Sequence, residues 1–307
     1  MKLFAGSASQ KLALKVGKIL GINLSSGEIT RFANSEVKVR IKEKVKNEVC
    51  VVIQSTANPT NTNLMELFFF CDALKRQEAK KVIAVIPYFG YARQNIQHLP
   101  GESVSANVVI RFLETIGFSK VYTFDFHDEA TEGVFSIPFK NLTALPLLAL
   151  ALKKDHQNHL SNIAIVSPDQ GGIERARRFS QFLFNKEVNL TMIEKKRDLY
   201  KIHQSEALNL YGNVKGKIAV IVDDILTSGK TLINAAKLCL SKGAKQVIAL
   251  IVHPDLSNNA PQLLKDSPIK EIYITDTINI NKDFLIKKFK LVSVASLIAK
   301  ELESSYI

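Results

Sequence analysis

Short runs of apolar, mainly β-branched residues recur along the chain and predict β-strands. They begin at Val49, Lys81, Lys120, Asn162, Lys217 and Lys245. Segments with helical periodicity lie between them, for example residues 63–80 and 230–245. Continuous apolar strands that alternate with helices are typical of parallel sheets with both faces covered. The pattern therefore predicts the α/β fold class.

One part of this pattern occurs twice. The segment EAKKVIAVIPY from Glu78 aligns with GAKQVIALIVH from Gly243, and each follows a helix, a polar loop and an earlier apolar strand. Such similarity indicates an internal duplication. We expect two similar α/β domains, residues 1–143 and 144–307, because the FKNLTALPLL segment between Pro138 and Pro146 interrupts the pattern. The last residues are expected to pack on the N-terminal domain.

The composition favours a protein without a membrane partner. The longest apolar run, from Leu142, is far shorter than the ~18 residues that a membrane-spanning helix needs. The N-terminus lacks the apolar core of a secretory signal. Cys50, Cys71 and Cys239 lie apart in apolar segments, which is typical of buried reduced thiols. These features predict a cytoplasmic protein.

The formal net charge of +12 indicates an anionic partner or a well-solvated surface. Nucleic acid, a membrane surface and small phosphorylated substrates all fit the charge alone. Much of it comes from scattered lysines such as Lys42 and Lys288, and a groove-reading or RNA-binding motif is absent from the sequence. We therefore expect no nucleic-acid partner.

The segment VDDILTSGKT combines an acidic strand end with a phosphate-binding turn. Asp223 and Asp224 end an apolar run, so they are expected at a strand tip, where parallel sheets bind ligands. Hydroxyl and amide groups in the turn suit a phosphate at the start of the next helix; these residues are Thr227, Ser228, Gly229, Lys230 and Thr231. The carboxylates suit a polyol or a magnesium ion. The nucleotide-hydrolase P-loop is rejected because position 224, where that motif requires glycine, is Asp. A sugar phosphate fits both features.

Several longer motifs give this chain a resemblance to a known family. They are KLFAGSAS from Lys2, RFANSEV from Arg31, IQSTANPTNTNLMEL from Ile53, IPYFGYARQ from Ile86 and SPDQGG from Ser167. With the loop at 222–231, they resemble the ribose-phosphate diphosphokinases over nearly the full length. The resemblance implies two phosphoribosyltransferase-like domains. It also implies Mg²⁺-dependent transfer of the diphosphoryl group of ATP to the 1-hydroxyl of ribose 5-phosphate, with release of AMP.

The resemblance also assigns roles to individual residues. Lys195 and Arg197 match the catalytic lysine and arginine of the family. The metal-binding positions are Asp125, His127 and Asp169; we expect Asp125 and His127 to alternate along a strand end and share one face. The ATP-binding positions are Phe32, Asn34, Ser35, Glu36, Arg93 and Gln94. Since the adenine site of the family lies between subunits, a homo-oligomer, typically a hexamer, is implied.

The sequence departs from the family pattern at two loops. Asn95 and Ile96 replace an Asp and a basic residue, and Thr227 stands where the family usually has a third Asp. Three interpretations stay open: an active diphosphokinase, a non-catalytic regulatory subunit of the same family, and a phosphoribosyltransferase that consumes the activated sugar. The retention of His127, Lys195 and Arg197 favours the active enzyme.

Overall fold

A computed structural model describes residues 1–186, 188–197 and 205–304, with the side chains of 195–197 and 205–208 outside that description. The chain divides into two compact units. The first unit comprises Met1–Thr143, Thr277–Asn279 and Ser293–Ile307, and the second comprises Ala144–Asp276 and Ile280–Val292. Each unit contains its own sheet and its own hydrophobic core.

The first unit is built on a five-stranded parallel sheet. Its elements before Thr143 are β1 Lys2–Ala5, α1 Gln10–Leu20, β2 Gly27–Arg31, β3 Val37–Ile41, β4 Val49–Ile53, α2 Thr60–Arg76, β5 Lys81–Ile86, α3 Ser105–Ile116, β6 Lys120–Phe124 and β7 Phe139–Leu142. The strand order is β1-β4-β5-β6-β7, and every adjacent pair is parallel. Strands β2 and β3 form a separate antiparallel hairpin.

The second unit is built on a seven-stranded sheet. Its elements are α4 Leu145–Asp155, β8 Ile163–Ser167, α5 Ile173–Phe184, β9 Thr191–Arg197, β10 Ser205–Tyr211, β11 Ile218–Ile225, α6 Lys230–Ser241, β12 Gln246–His253, α7 Ala260–Lys265, β13 Glu271–Thr275 and β14 Phe289–Val292. The order is β10-β9-β8-β11-β12-β13-β14, and only the β9–β10 pair among these is antiparallel. The final helix, α8 Ala295–Ser304, belongs to the first unit.

The inner strands of each sheet are mainly apolar because helices cover both faces of the sheet. The inner strand β4 is buried from Cys50 to Ile53, and β12 is buried from Val247 to its end at His253. Helix α2 contributes Leu67, Phe70 and Leu74 to the core of the first unit. Full burial of such a side chain stabilises a fold by about 1.5–3 kcal/mol. Cys50, Cys71 and Cys239 are buried free thiols, as the sequence predicted.

The two units repeat the same order of elements, which confirms the predicted fold class and the internal duplication. The series β4–α2–β5–α3–β6–β7 corresponds to β11–α6–β12–α7–β13–β14. The similar segments at 78–88 and 243–253 contain β5 and β12, each with a parallel neighbour on both sides. The helices that follow the last strands are exchanged, since α4 packs with α5 and β13 of the second unit, whereas α8 packs on α1 of the first.

Among the described residues, no helix combines the length and apolar character that a bilayer crossing requires.

Candidate functional site

The acidic pair lies at the carboxyl end of β11, in the middle of the second unit's sheet. Strand β11 pairs in parallel with β8 on one side and β12 on the other. Its first five residues are buried, and the run ends at Asp223 and Asp224, whose side chains are 19% and 9% exposed. In parallel sheets this edge is the usual position of a ligand site. The sequence prediction of a strand tip is confirmed for both residues.

The turn after β11 is held against β12 and opens helix α6. The Leu226 N–H donates to the carbonyl of His253 at 2.9 Å, and the Ser257 N–H donates to the carbonyl of Thr227 at 3.2 Å. Gly229 has φ +78°, and a Cβ there would lie 3.1 Å from Leu264 Cδ2. The N-cap residue of α6 is Gly229, which has no side chain to cap the helix, and the Ser228 hydroxyl accepts the Lys230 N–H at 3.5 Å. The N–H groups at a helix start attract anions, so this turn suits a phosphate.

Arg175 is a site residue that the sequence analysis missed. It lies in the first turn of α5, and its Nη2 is 3.2 Å from Asp224 Oδ2 while its Nη1 is 3.6 Å from Asp223 Oδ1. The available signal was its position three residues after the second glycine of SPDQGG, where a helix begins beside the acidic strand. One guanidinium thus faces two carboxylates.

This balance of charge changes the pKa of Asp223. Burial raises the pKa of this carboxyl well above its ordinary value, and repulsion from Asp224 raises it further, whereas Arg175 lowers it. A buried, incompletely neutralised acid gains from a ligand that brings hydroxyl donors or a cation. The pair is therefore suited to bind rather than only to support the fold.

Asp169 lies in the loop between β8 and α5, near the same sheet edge. Its Oδ1 accepts the Gly172 N–H at 3.1 Å, and its carbonyl accepts the Ser167 hydroxyl at 2.6 Å. A Cβ on Gly172 would lie 2.9 Å from Ser167 Oγ, so the tight turn requires glycine. Asp169 also raises the pKa of Asp223, which shows that its charge acts on the acidic pair.

Lys195 and Arg197 lie in β9, the strand next to β8. Lys195 is paired with Ala207 of β10, and Arg197 with Ser205. Their side chains lie outside the described part of the structure, so the catalytic role of both residues stays a prediction.

The expected strand alternation of Asp125 and His127 is wrong. Strand β6 ends at Phe124, and Asp125 has φ +38°, which turns the chain out of the extended conformation. Asp125 Oδ1 accepts the Thr143 hydroxyl at 2.7 Å, while Phe126 is buried and His127 is exposed. The metal-binding role of Asp125 and His127 stays a prediction.

The predicted adenine contacts form the tip of the β2–β3 hairpin. The Phe32 N–H donates to the Glu36 carbonyl at 2.9 Å, and Asn34 Oδ1 accepts the Glu36 N–H at 3.2 Å. Ser35 has φ +71° and closes the turn. The Phe32 ring is 47% exposed, so it is available for stacking on a planar ligand.

Arg93 and Gln94 follow β5 in an exposed loop. Gln94 Oε1 accepts the Ser105 hydroxyl at 2.7 Å, which ties the loop to the start of α3. The neighbouring Asn95, which departs from the family pattern, donates from Nδ2 to Asp128 Oδ2 at 2.6 Å. The substitution therefore replaces an expected acid by a donor that holds the loop to the segment after β6.

The described residues contain no preformed group of three or more His, Cys, Asp or Glu side chains that could hold a metal ion. A magnesium ion is usually bound by one or two carboxylates, with substrate phosphates and water completing its shell, so it needs no such preformed group.

An acidic strand end and a hydroxyl-rich turn that leads into a helix N-terminus are typical of α/β enzymes that act on phosphorylated ligands. Residues 1–117 match the family model described as the N-terminal domain of ribose phosphate pyrophosphokinase, and residues 162–306 match the phosphoribosyl synthetase-associated domain. Proteins named ribose-phosphate pyrophosphokinase are similar over most of the chain. That of Thermosipho africanus is 42% identical over 98% of this chain and 92% of its own, and that of Fusobacterium nucleatum is 38% identical over 99% and 94%.

A solved structure agrees with these sequence comparisons. The phosphoribosylpyrophosphate synthetase of Mycobacterium smegmatis is similar with a TM-score of 0.91 and 32% identity, over 99% of this chain and 98% of that one. The chain belongs to the ribose-phosphate pyrophosphokinase family. The predicted enzyme class and the predicted family are thereby confirmed.

Proposed function

We propose that this chain transfers the diphosphoryl group of ATP to the 1-hydroxyl of ribose 5-phosphate, giving 5-phosphoribosyl 1-diphosphate and AMP. The observation that carries the proposal is the acidic pair Asp223–Asp224, which faces the single guanidinium of Arg175. It stands shortly before the start of α6, whose N-cap residue is Gly229. Membership of the family supports the same reaction.

The acidic strand end and the turn after it bind different parts of the sugar phosphate. The carboxylates of Asp223 and Asp224 accept hydrogen bonds from the pentose hydroxyls. The turn receives the 5-phosphate through backbone N–H groups and the hydroxyls of Thr227, Ser228 and Thr231. Lys230, the first residue of α6, is exposed and adds a cation beside the phosphate. Thr227 replaces a carboxylate by a hydroxyl, so the acidic pair carries the sugar contacts here.

The acidic residues also fit a magnesium ion that enters with the nucleotide. One or two of the carboxylates at this sheet edge, Asp169, Asp223 and Asp224, would supply oxygen donors, and the repulsion between Asp223 and Asp224 favours a cation. Asp125 and His127 are further proposed ligands, although neither is held on a strand. When bound, the ion supplies neutralisation of phosphate charge.

The nucleotide and the transferred group use the remaining predicted residues. Phe32 stacks on the adenine, while Asn34, Ser35 and Glu36 read its polar edge, and Arg93 with Gln94 contacts the phosphates. Lys195 and Arg197 neutralise the charge that builds on the transferred group, since positioning and electrostatics dominate phosphoryl-transfer catalysis.

We also propose a homo-oligomer, a hexamer by family resemblance, in the cytoplasm. Its support within this chain is a set of exposed apolar side chains on α2 and α3 of the first unit, including Met65, Val108 and Phe112 at 44%, 44% and 56% exposure. Clustered apolar exposure of this kind marks contact surfaces.

One assay tests the reaction. The purified chain with ATP, magnesium and ribose 5-phosphate should release AMP only when the sugar is present. Lys195→Ala should lower turnover by about 100-fold or more, with little change in melting temperature, since it removes a transition-state contact. Lys196→Ala is the matched control and should retain activity. If the wild-type chain releases no AMP yet assembles with an active relative, it is a regulatory subunit and the proposal fails.

A further inference from the structure

A polar cavity of about 230 Å³ lies in the first unit, apart from every residue assigned above. It is lined by Ser7, Arg31, Ser55, Asn58, Asn63 and Asn279, among others. It opens where β1 and β4 end and α2 begins, at the carboxyl edge of the five-stranded sheet. Ligands of parallel sheets bind at this edge.

The strand register makes this cavity the counterpart of the sugar-phosphate loop. Val85 of β5 aligns with Leu250 of β12 in the repeated segment, and they pair with Ile53 and Val222, respectively. The next two residues, Gln54 and Ser55, therefore occupy the positions of Asp223 and Asp224. The duplicated edge is retained, but its acidic pair has become neutral.

The buried hydroxyl of Ser55 is an independent indication that the cavity binds a ligand. Its side chain is almost fully buried, at 1% exposure, and its hydroxyl finds no hydrogen-bond partner among the described residues. Buried polar groups are nearly always paired, and leaving one unpaired costs about 1–3 kcal/mol. Because Ser55 lines the cavity, a bound group there can supply the missing partner.

The charges at the cavity favour an oxyanion. Arg31 reaches it with a half-exposed side chain, and its Nη2 contacts Ser7 Oγ at 3.0 Å and Glu66 Oε2 at 3.3 Å. A guanidinium has five N–H donors, so this contact leaves capacity for another acceptor. No side chain caps the start of α2, a helix of 17 residues. Its N-terminal amides add positive potential.

Glu66, the carboxylate that contacts Arg31 and Ser7, does not oppose an anion strongly. Glu66 is fully buried and does not line the cavity. Its oxygens accept from the Ser7 N–H, the Ser7 hydroxyl, Gln54 Nε2 and Arg31 Nη2. Neutral amides and hydroxyls make up most of the remaining polar lining.

We infer that the cavity at the start of α2 is a second binding site, which binds a phosphate group but makes no specific contacts with a pentose. Arg31 and the α2 amides hold the phosphate oxygens, and Ser55 donates its hydroxyl proton to one of them. The loss of the acidic pair removes the contacts that a sugar's hydroxyls need. The volume is below the ~300–1,000 Å³ of drug-sized pockets and suits a free phosphate ion or a small monoester.

The test uses the full chain with Ser228→Ala and Thr231→Ala, which weakens phosphate binding at the other loop. Calorimetric titration with inorganic phosphate should still show one site per chain. Adding Arg31→Gln should lower the affinity for inorganic phosphate by at least 10-fold. Adding Ser55→Ala should lower it by about 3- to 10-fold, as expected for the loss of one neutral hydrogen bond. Arg40→Gln removes the same charge from the other strand of the hairpin and should leave binding unchanged.

Two further measurements separate the outcomes. A parallel titration with ribose 5-phosphate tells whether a monoester or the free ion binds more tightly; either result supports a phosphate site. A crystal soaked with tungstate should show the heavy atom beside Ser55 and Arg31. The inference would be overturned by tungstate bound elsewhere or by an ordered water beside Ser55 and Arg31 instead of tungstate. It would also be overturned if the Ser228→Ala, Thr231→Ala chain bound inorganic phosphate equally well alone and with Arg31→Gln, Ser55→Ala or Arg40→Gln. A failed AMP assay would not, because the site does not depend on the proposed reaction.

Discussion

The two units treat buried acid in opposite ways. In the first unit, the single carboxylate of Glu66 accepts hydrogen bonds from Ser7, Gln54 and Arg31, including one at 2.6 Å from the Ser7 N–H. It is fully buried yet fully supplied with donors. In the second unit, Asp223 and Asp224 share the guanidinium of Arg175, and burial with mutual repulsion raises the pKa of Asp223.

The contrast separates a structural acid from a binding acid. A buried carboxylate that has all its donors joins β1, β4 and α2 and gains little from a ligand. Two adjacent carboxylates that repel each other destabilise the fold and gain from any ligand that brings donors or positive charge. The repulsion that suits Asp223 and Asp224 to ligand binding therefore lowers the stability of the second unit.

The largest effect is expected from Glu66→Ala. The substitution removes the acceptor for several buried donors at once and leaves the Arg31 charge without its partner. The free energy of unfolding should fall by about 3–5 kcal/mol, measured by urea denaturation. Asp72→Ala on the same helix removes an exposed ion pair with Arg76 and should cost less than ~1 kcal/mol. Equal losses in both variants would show that Glu66 has no special role.

Asp224→Asn should affect activity more than stability. The amide keeps the shape but loses a charged acceptor for the sugar and for Arg175, a loss of about 1.5–3 kcal/mol in binding contacts. The specificity constant for ribose 5-phosphate should fall by about 10- to 100-fold. Asp283→Asn, on an exposed turn of the same unit, should change neither quantity. A large drop in melting temperature with retained activity would make Asp224 a structural residue.

Comparing Gly229→Ala with a matched glycine variant separates the effect of backbone strain on stability from an effect on ribose 5-phosphate binding. At φ +78°, an L-residue costs about 1–2 kcal/mol, and the new methyl group also meets Leu264. Gly216→Ala is a matched control, because Gly216 has φ +74° and a methyl group there would meet no described atom within 4 Å beyond its chain neighbours. Both variants should lose similar stability, but only Gly229→Ala should raise the KM for ribose 5-phosphate. An equal KM change in both would remove the loop from the site.

The smallest effect is a pH dependence of stability from Asp223. Because its pKa is raised in the folded state, the folded chain binds the proton more tightly than the unfolded chain does. This carboxyl therefore lowers stability as pH rises from its ordinary pKa of 3.8 through the raised value. Asp223→Asn should have a higher melting temperature than the wild type near neutral pH, with the difference shrinking as pH falls. A variant that is less stable at neutral pH would contradict the assigned direction.

Local pattern was sufficient to predict the core strands and the turn between β11 and α6. The runs from Val49, Lys81, Lys120, Asn162, Lys217 and Lys245 all became strands of the two sheets. The duplication extends further than the repeated segments at 78–88 and 243–253. KVYTFD from Lys120 matches EIYITD from Glu271, and FKNLT from Phe139 matches FKLVS from Phe289. These matches make α4 and α8 equivalent helices, since each follows the last strand of its series.

Contacts between distant segments were not predictable in the same way. Arg175 and Asp224 are far apart in the chain and meet because β8 and β11 pair in register. Asp125, which follows the end of β6, accepts the hydroxyl of Thr143, which directly follows a different strand, β7. Hydrophobic periodicity indicates which face of a helix or strand is buried, but it does not show which other element packs beside that face.

The sequence by itself determined the α/β class, the duplication and the family, since all three are written in local apolar runs and in motifs read along the chain. Only the tertiary structure decided how each buried acid is balanced: Glu66 is surrounded by donors, whereas Asp223 lies against a second carboxylate. The physical reason is that the free energy of a buried charge depends on the groups that surround it in space, and parallel strands bring those groups from remote parts of the chain.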